Sequence, residues 1–198
     1  DIPEDKLGGD FDITTDYRDP YMIDQIEKDG WIVWPLVPFY YDSINFELTQ
    51  SAPSPPDSTN YLGTDDQGRD LLARLVYGFR ISVFFALTLT LVSSIIGILI
   101  GAIQGYYGGR IDLFGQRIIE VWEGLPMLFM LIILSSVVEP TFSWLLGLMI
   151  LFSWPSLVSV VRAEFLRGRH LEYVKAAQAL GVTDNKIMFK HILPNAMI

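Results

Sequence analysis

Arg117, Glu120 and Glu123 recur at intervals of three beside an otherwise apolar stretch. On a helix this spacing brings side chains together on successive turns. Two chemistries suit such a group. Carboxylates beside an arginine at membrane depth can gate or relay an ion. At the end of a membrane span the same side chains reach the headgroups and form an interfacial ion pair. Covalent catalysis has little to draw on. There is no cysteine, and the two histidines, His170 and His191, both lie in a polar tail. No nucleophile–base pair and no metal-ligand spacing is visible, which argues against an enzyme and against a metal site. No Gly-x-x-x-x-Gly-Lys-Ser/Thr occurs, so the chain is not expected to bind ATP by itself.

The second group with functional potential is mechanical. Glu172, Tyr173, Ala176 and Ala177 lead to Gly181, and Pro194 follows thirteen residues later. Alanine and leucine over 176–180 favour a helix. Gly181 suits a left-handed stop. Thr183 suits the N-cap of a second helix, with Asp184 in its first turn and Lys190 near its end. Pro194 is expected to end or bend that helix. The alanines leave a smooth face that a partner's groove could accept. Physics alone leaves two readings open: a docking element for a cytoplasmic partner, or a basic linker lying on anionic lipid.

The elements that must carry these groups are apolar. The chain is 51% hydrophobic, and no charged residue occurs over 81–109 or over 140–161. Both runs exceed the roughly 20 residues needed to cross ~30 Å of hydrocarbon. Three spans are expected, at about 81–104, 113–138 and 142–161. Pro126 breaks the second, and Pro155 is expected to bend the third. Trp144 and Trp154 suit interface anchors. Ser93, Gly97, Gly101 and Gly105 fall every fourth residue, a stripe where helix backbones can pack closely. Glu139-Pro140-Thr141 and Tyr106–Arg110 read as turns.

Charge is segregated. Residues 1–60 hold thirteen acids and three bases, and the remainder ten acids and eleven bases, which together account for the net −9. The acidity therefore belongs to one segment and gives no reason to expect nucleic acid. Within that segment Asp19 reads as an N-cap, Pro20 as the first helical residue and Gly30 as the stop. The stretch 31–41, cut by Pro35 and Pro38, is expected to be extended, and 51–58 to be a semi-rigid linker. Leu71, Leu72, Leu75, Val76 and Phe79 share one helical face, which suggests an interfacial amphipathic helix over 61–80. There is no initiating Met and no apolar core in residues 1–15, so no signal peptide is visible and the chain reads as a piece of a longer protein. Lys and Arg concentrate at 162–190 and at 106–117, which places those regions in the cytoplasm and residues 1–80 outside. Arg69, Arg74 and Arg80 run against that assignment.

Three motifs resemble one family. Glu172-Tyr173-Val174-x-Ala176-Ala177 with Gly181 and His191-Ile192-Leu193-Pro194-Asn195 is similar to the "EAA" loop of ATP-binding-cassette (ABC) importer permeases. Glu172 stands apart from the alanines, and His191 replaces the usual Ile, both as in the oligopeptide and dipeptide branch. Gly63-Thr64-Asp65-x-x-Gly68-Arg69-Asp70 and Gly105-Tyr106-Tyr107-Gly108-Gly109 resemble motifs of the same branch. The acidic insert, Pro53-Ser54-Pro55-Pro56, Glu120-Val121-Trp122 and 162–167 resemble its Yej-type subgroup, implicated in microcin C and peptide uptake.

The resemblance implies an all-α integral membrane protein with a partial importer-type permease fold. Its parts would be an acidic aromatic periplasmic segment (1–60), an interfacial helix (61–80), three transmembrane helices (81–161) and a cytoplasmic coupling loop (162–198). Such permeases have one span before position 1 and two after Ile198. The implied location is the bacterial inner membrane. The implied partners are a second permease subunit, giving a heterodimer, ATPase subunits that carry ATP and Mg, a periplasmic peptide-binding protein and the lipid bilayer. Glu172, Tyr173, Ala176, Ala177, Gly181 and Pro194 would couple to the ATPases. The alternative is a secondary transporter or channel with a lipid-lying basic linker.

Overall fold

The computed structural model describes residues 17–48, 50–139 and 141–196. Residues 1–16 of the acidic segment and Pro140 of the expected turn lie outside the described residues. Among the described residues there are helices, two isolated bridges (Ile44 with Arg69, Thr64 with Asp70) and no strand. The chain divides into two units, Asp1–Phe79 and Arg80–Ile198.

In the first unit, α1 spans Pro20–Asp29, and the Asp19 carboxylate accepts the Tyr21 N–H at 2.8 Å. Gly30 ends the helix in an extended conformation, not a left-handed one. Residues 31–39 carry no helix or strand, as the two prolines require. The segment 51–58 departs from the expected linker. Ser54 donates its N–H to Thr64 Oγ1 at 3.0 Å, and Thr64 returns its own N–H to the Ser54 carbonyl. Buried Asn60 donates to Asp70 at 2.8 Å and accepts from Asn45 at 2.9 Å. Prolines stiffen a chain, but they do not stop its remaining groups from finding partners across a turn.

The 63–70 motif is the centre of this clasp. Gly63 and Gly68 take φ of 75° and 79°, a region closed to most residues. Asp70 is the N-cap of the next helix, accepting the Ala73 N–H at 2.6 Å. Asp65 accepts N–H groups from Gln67 and Arg69, each at 2.9 Å, and pairs with the guanidinium groups of Arg69 and Arg74. Burial is the largest influence on the Asp65 carboxyl and raises its pKa. The hydrogen bonds from Arg69 and Gln67 and the Arg69 charge together outweigh it and hold the pKa at about 2. Between the ordinary carboxylate value and 2 the unfolded clasp therefore binds more protons than the folded one. Its stability is full above about pH 4 and is lost as pH falls towards 2. Protection of the amides at the start of the following helix, taken relative to their intrinsic exchange rate at each pH, should fall through that window in the native chain. In Asp65→Asn protection should be low already at neutral pH and nearly independent of pH.

Helix α2, Leu71–Tyr107, runs for 37 residues without interruption. The amphipathic segment at 71–80 is thus not a separate helix, and residues 61–70 are not helical. Nothing between Phe79 and Ile81 breaks the hydrogen-bond ladder, and apolar side chains at Leu75, Val76 and Phe79 are exposed just as those of the span are.

In the second unit, Gly108 (φ 62°) turns the chain sharply into α3, Gly109–Glu123. Helix α4, Met127–Val137, follows at 65° to α3. Gly124-Leu125-Pro126 makes that break, since Pro126 offers no N–H to the preceding turn. Among the described residues α4 has no buried side chain. Helices α5, Phe142–Ser153, and α6, Pro155–Gly168, form one span of 27 residues. Thr141 caps its start through the Trp144 N–H. Pro155 interrupts the ladder but does not divide the span. The Leu151 carbonyl, four residues before Pro155, accepts the Trp122 indole N–H at 3.0 Å. The span also continues to Gly168, past the end expected at Val161, so Arg162 and Arg167 belong to α6.

Candidate functional site

The small-residue stripe lies against α6. A Cβ on Gly97 would meet the Trp154 carbonyl at 2.9 Å and Leu157 Cβ at 3.0 Å. On Gly101 it would meet the Val158 carbonyl at 2.8 Å and Val161 Cβ at 2.9 Å, and on Gly105 the Arg162 carbonyl and Phe165 Cβ, both at 2.5 Å. Both rows advance by four residues in the same direction, so α2 and α6 run parallel. Ser93 instead donates its hydroxyl to the Leu89 carbonyl of its own helix at 2.6 Å.

Parallel packing brings the C-terminal ends of α2 and α6 to the same place, and the final loop is built on them. It contains α7 (Glu172–Ala179), α8 (Asp184–Lys186), a π-helical stretch (Ile187–Ile192) and α9 (Leu193–Ala196). Gly181 joins α7 to α8 at φ 74°, with open space where a Cβ would stand. Thr183 precedes α8 as expected, though its side chain makes no cap bond. Pro194 sits inside α9 and does not end the helix. It lacks the N–H that Lys190 would receive, and the Leu193 N–H reaches back five residues to the Met188 carbonyl.

A buried cluster holds the loop to the helix ends. It comprises Ala102, Tyr106, Phe165, Val174, Ala177, Ile187, Met188 and Ile192. This corrects one expectation. Ala177, read with Ala176 as a contact residue, is buried among its own chain, because it follows Val174 by three residues on the inward face. Glu172, Tyr173, Ala176 and Gly181 are exposed, and so is Pro194. Leu180 is 84% exposed, a bare apolar side chain at the tip of α7. Sequence reasoning took it only as a helix former. Its position one residue before the glycine stop, off the Val174–Ala177 face, was the available signal.

Polar ties reinforce the same junction. The Tyr106 hydroxyl donates to Asp184 at 2.7 Å and accepts from Gln178 at 3.3 Å. The Arg169 guanidinium donates to the carbonyls of Tyr106 and Tyr107, both at 3.2 Å. Those carbonyls end α2 and have no helical partner, so Arg169 caps the helix. A Cβ on Gly108 would strike that guanidinium. Arg162 pairs with both oxygens of Asp112 in the first turn of α3. Gln116 donates to buried Gln104 at 2.9 Å. Gly105, Tyr106, Tyr107 and Gly108 of the 105–109 motif thus each have a structural task.

The first candidate group separates. Arg117 and Glu120 form an exposed pair at 2.5 Å, and Glu123 is not joined to it. Among the described residues no group of three acidic or histidine side chains is placed to hold a metal.

Residues 97–198 match the family described as binding-protein-dependent transport system inner membrane component. The chain belongs to that family. It is 55% identical over 195 residues to the inner membrane ABC transporter permease protein YejE of Escherichia coli (strain K12), covering 98% of this chain and 57% of that protein. It is 46% identical over 222 residues to the peptidoglycan transport system permease protein YejE of Agrobacterium fabrum, covering 100% and 58%. To the oligopeptide transport system permease protein OppC of Bacillus subtilis it is 36% identical over 147 residues, covering 74% and 48%. The chain spans a little over half the length of the first two relatives. The all-helical fold and its two or three apolar spans agree with an inner-membrane permease.

Proposed function

We infer that this chain is the membrane-spanning body of a permease subunit in an ATP-driven peptide importer. The observation that carries this reading is the loop α7–α9. It is packed onto the ends of α2 and α6 while presenting Glu172, Tyr173, Ala176, Leu180 and Gly181 outward. A rigidly seated helix with an exposed apolar tip suits transfer of force from a partner. Names of relatives point to peptides, peptidoglycan and oligopeptides as cargo. The shared chemistry is a peptide backbone, and microcin C-like peptides fall within it.

The partners are a second, similar permease subunit and two cytoplasmic ATPase subunits, which hold the ATP and Mg that this chain does not bind. A periplasmic binding protein delivers the cargo. The subunit lies in the bacterial inner membrane, with the segment before α2 periplasmic and the loop after α6 cytoplasmic. The excess of Lys and Arg at 162–190 supports that orientation. ATP binding closes the ATPases, α7 moves with them, and the spans rock between outward and inward states.

Reconstitution of the full-length permease with its partners in proteoliposomes tests this. Peptide uptake should require ATP and the ATPase subunits. Uptake driven by an ion gradient without them would establish the secondary-transporter alternative. In the same assay Gly181→Val should cut uptake roughly tenfold, since a β-branched residue at positive φ costs ~1–2 kcal/mol or more. Wild-type uptake by that variant, at normal protein level, would remove Gly181 from the mechanism.

A further inference from the structure

We propose that Tyr106 and Asp184 are positioning residues that transmit movement of the α7–α8 loop into α2. The proposal rests on the transport reading above. Three features of the structure converge on this pair. Tyr106 is buried at the end of α2, in the same cluster as Val174, Ala177 and Ile187, so its ring already touches the base of the loop. Its hydroxyl is the meeting point of both halves of the loop. Gln178 donates to it from α7, and it donates to the Asp184 carboxylate at the start of α8, on either side of Gly181. Its own backbone carbonyl is held by Arg169, which follows the last turn of α6.

The geometry separates this role from docking. Apolar burial resists pulling the loop away but allows it to swivel, because hydrophobic contacts carry no direction. A hydrogen bond to a carboxylate is directional and stronger than one between neutral groups. The Tyr106–Asp184 bond therefore fixes the angle at which α7–α8 meets α2. Gly181 is the bend between the two helices: its N–H and that of Val182 donate to the Gln178 and Ala177 carbonyls, both at 3.0 Å, so that α7 and α8 are otherwise joined there through backbone alone, with open space at the Gly181 Cβ position. With the bond made, displacement of α7 is carried to α2. Without it, the joint absorbs the displacement. A two-state element biased from both ends needs such a connection.

Substitutions in the full-length permease, assembled with its ATPases and binding protein in proteoliposomes, test the clasp. Tyr106→Phe keeps the buried ring and removes only the hydroxyl. It should raise the ATP hydrolysed per peptide imported at least about threefold, and speed amide exchange across residues 183–187 about tenfold. Asp184→Ala, which also loses the longer contact from the Tyr107 hydroxyl at 3.5 Å, should uncouple at least as much. Asp184→Asn keeps a directional but neutral acceptor oxygen and should give a ratio between those of Asp184→Ala and the wild type. A wild-type ratio in Tyr106→Phe overturns the proposal, even if exchange accelerates, because the bond would then be structural only. Equal uncoupling by Asp184→Asn and Asp184→Ala also overturns it. A wild-type assembly that imports no peptide on ATP fails differently. It removes the transport reading, and the coupling role with it, before any variant is compared.

Discussion

Gly105→Val should prevent the permease from reaching its folded state. The added side chain would stand 2.5 Å from both the Arg162 carbonyl and the Phe165 Cβ. Neither can step aside. The carbonyl is helix backbone, and Phe165 is fully buried in the cluster that seats the loop. Overpacking a well-filled interior costs about 1–3 kcal/mol. Here the excess atoms press on backbone, so the cost lies at the top of that range or above it. The helices must separate, and with them goes the junction that orders α7. Expression of the full-length protein should give little monodisperse material by size exclusion, and any that survives should melt earlier by many degrees. Gly147→Ala is the matched control. Beyond its own turn of helix, no described atom lies within 4 Å of its Cβ position, so its melting temperature should hold or rise slightly. Equal behaviour of the two variants would show that the α2–α6 seam tolerates separation.

Leu180→Asp should instead leave the permease folded and abolish the proposed docking of ATPase subunits. The side chain is almost wholly exposed and contributes nothing to the buried cluster. If α7 docks into a partner's groove, burying a leucine there contributes about 1.5–3 kcal/mol. A carboxylate would lose that and add a desolvation cost. Capture of the ATPase subunits by the tagged full-length permease should fall at least tenfold, with monodispersity and melting temperature unchanged. Ala177→Asp would give the opposite pattern, a loop that fails to seat. Undiminished capture by Leu180→Asp would place the docking contact elsewhere on the loop.

Much of this was legible where a local rule has one outcome. Asp19-Pro20 starts a helix, Pro126 breaks one, and Gly181 takes the left-handed turn that a glycine after an alanine-rich run suggests. The glycine stripe announced close packing, although nothing in it named α6 as the neighbour. Other features needed the third dimension. The stretch 51–58 reads as a stiff linker by composition, yet Ser54 and Asn60 are buried against Thr64 and Asp70. The motif at 63–70 was recognisable by resemblance, but its work as a cap and clasp for α2 depends on partners up to 25 residues away, as with Asn45 and Asp70 meeting through Asn60. Trp122 lies near charges that drew attention to a gate, while its indole instead serves the carbonyl freed by Pro155. The inward turn of Ala177 was available in principle. Val174 and Ala177 share a face, and pairing of the two alanines in the motif concealed that they point in different directions.

The α2–α6 seam has a further property when viewed as a pair of toothed racks. Gly97, Gly101 and Gly105 are notches at equal pitch, and Leu157, Val161 and Phe165 are teeth cut to the same pitch. A slide of a fraction of a pitch would drive teeth onto the ridges between notches. Only a whole step of four residues, about 6 Å along the axis, brings teeth and notches back into mesh. Sliding along this pair of helices is therefore quantised: the racks are engaged, or they have skipped a tooth.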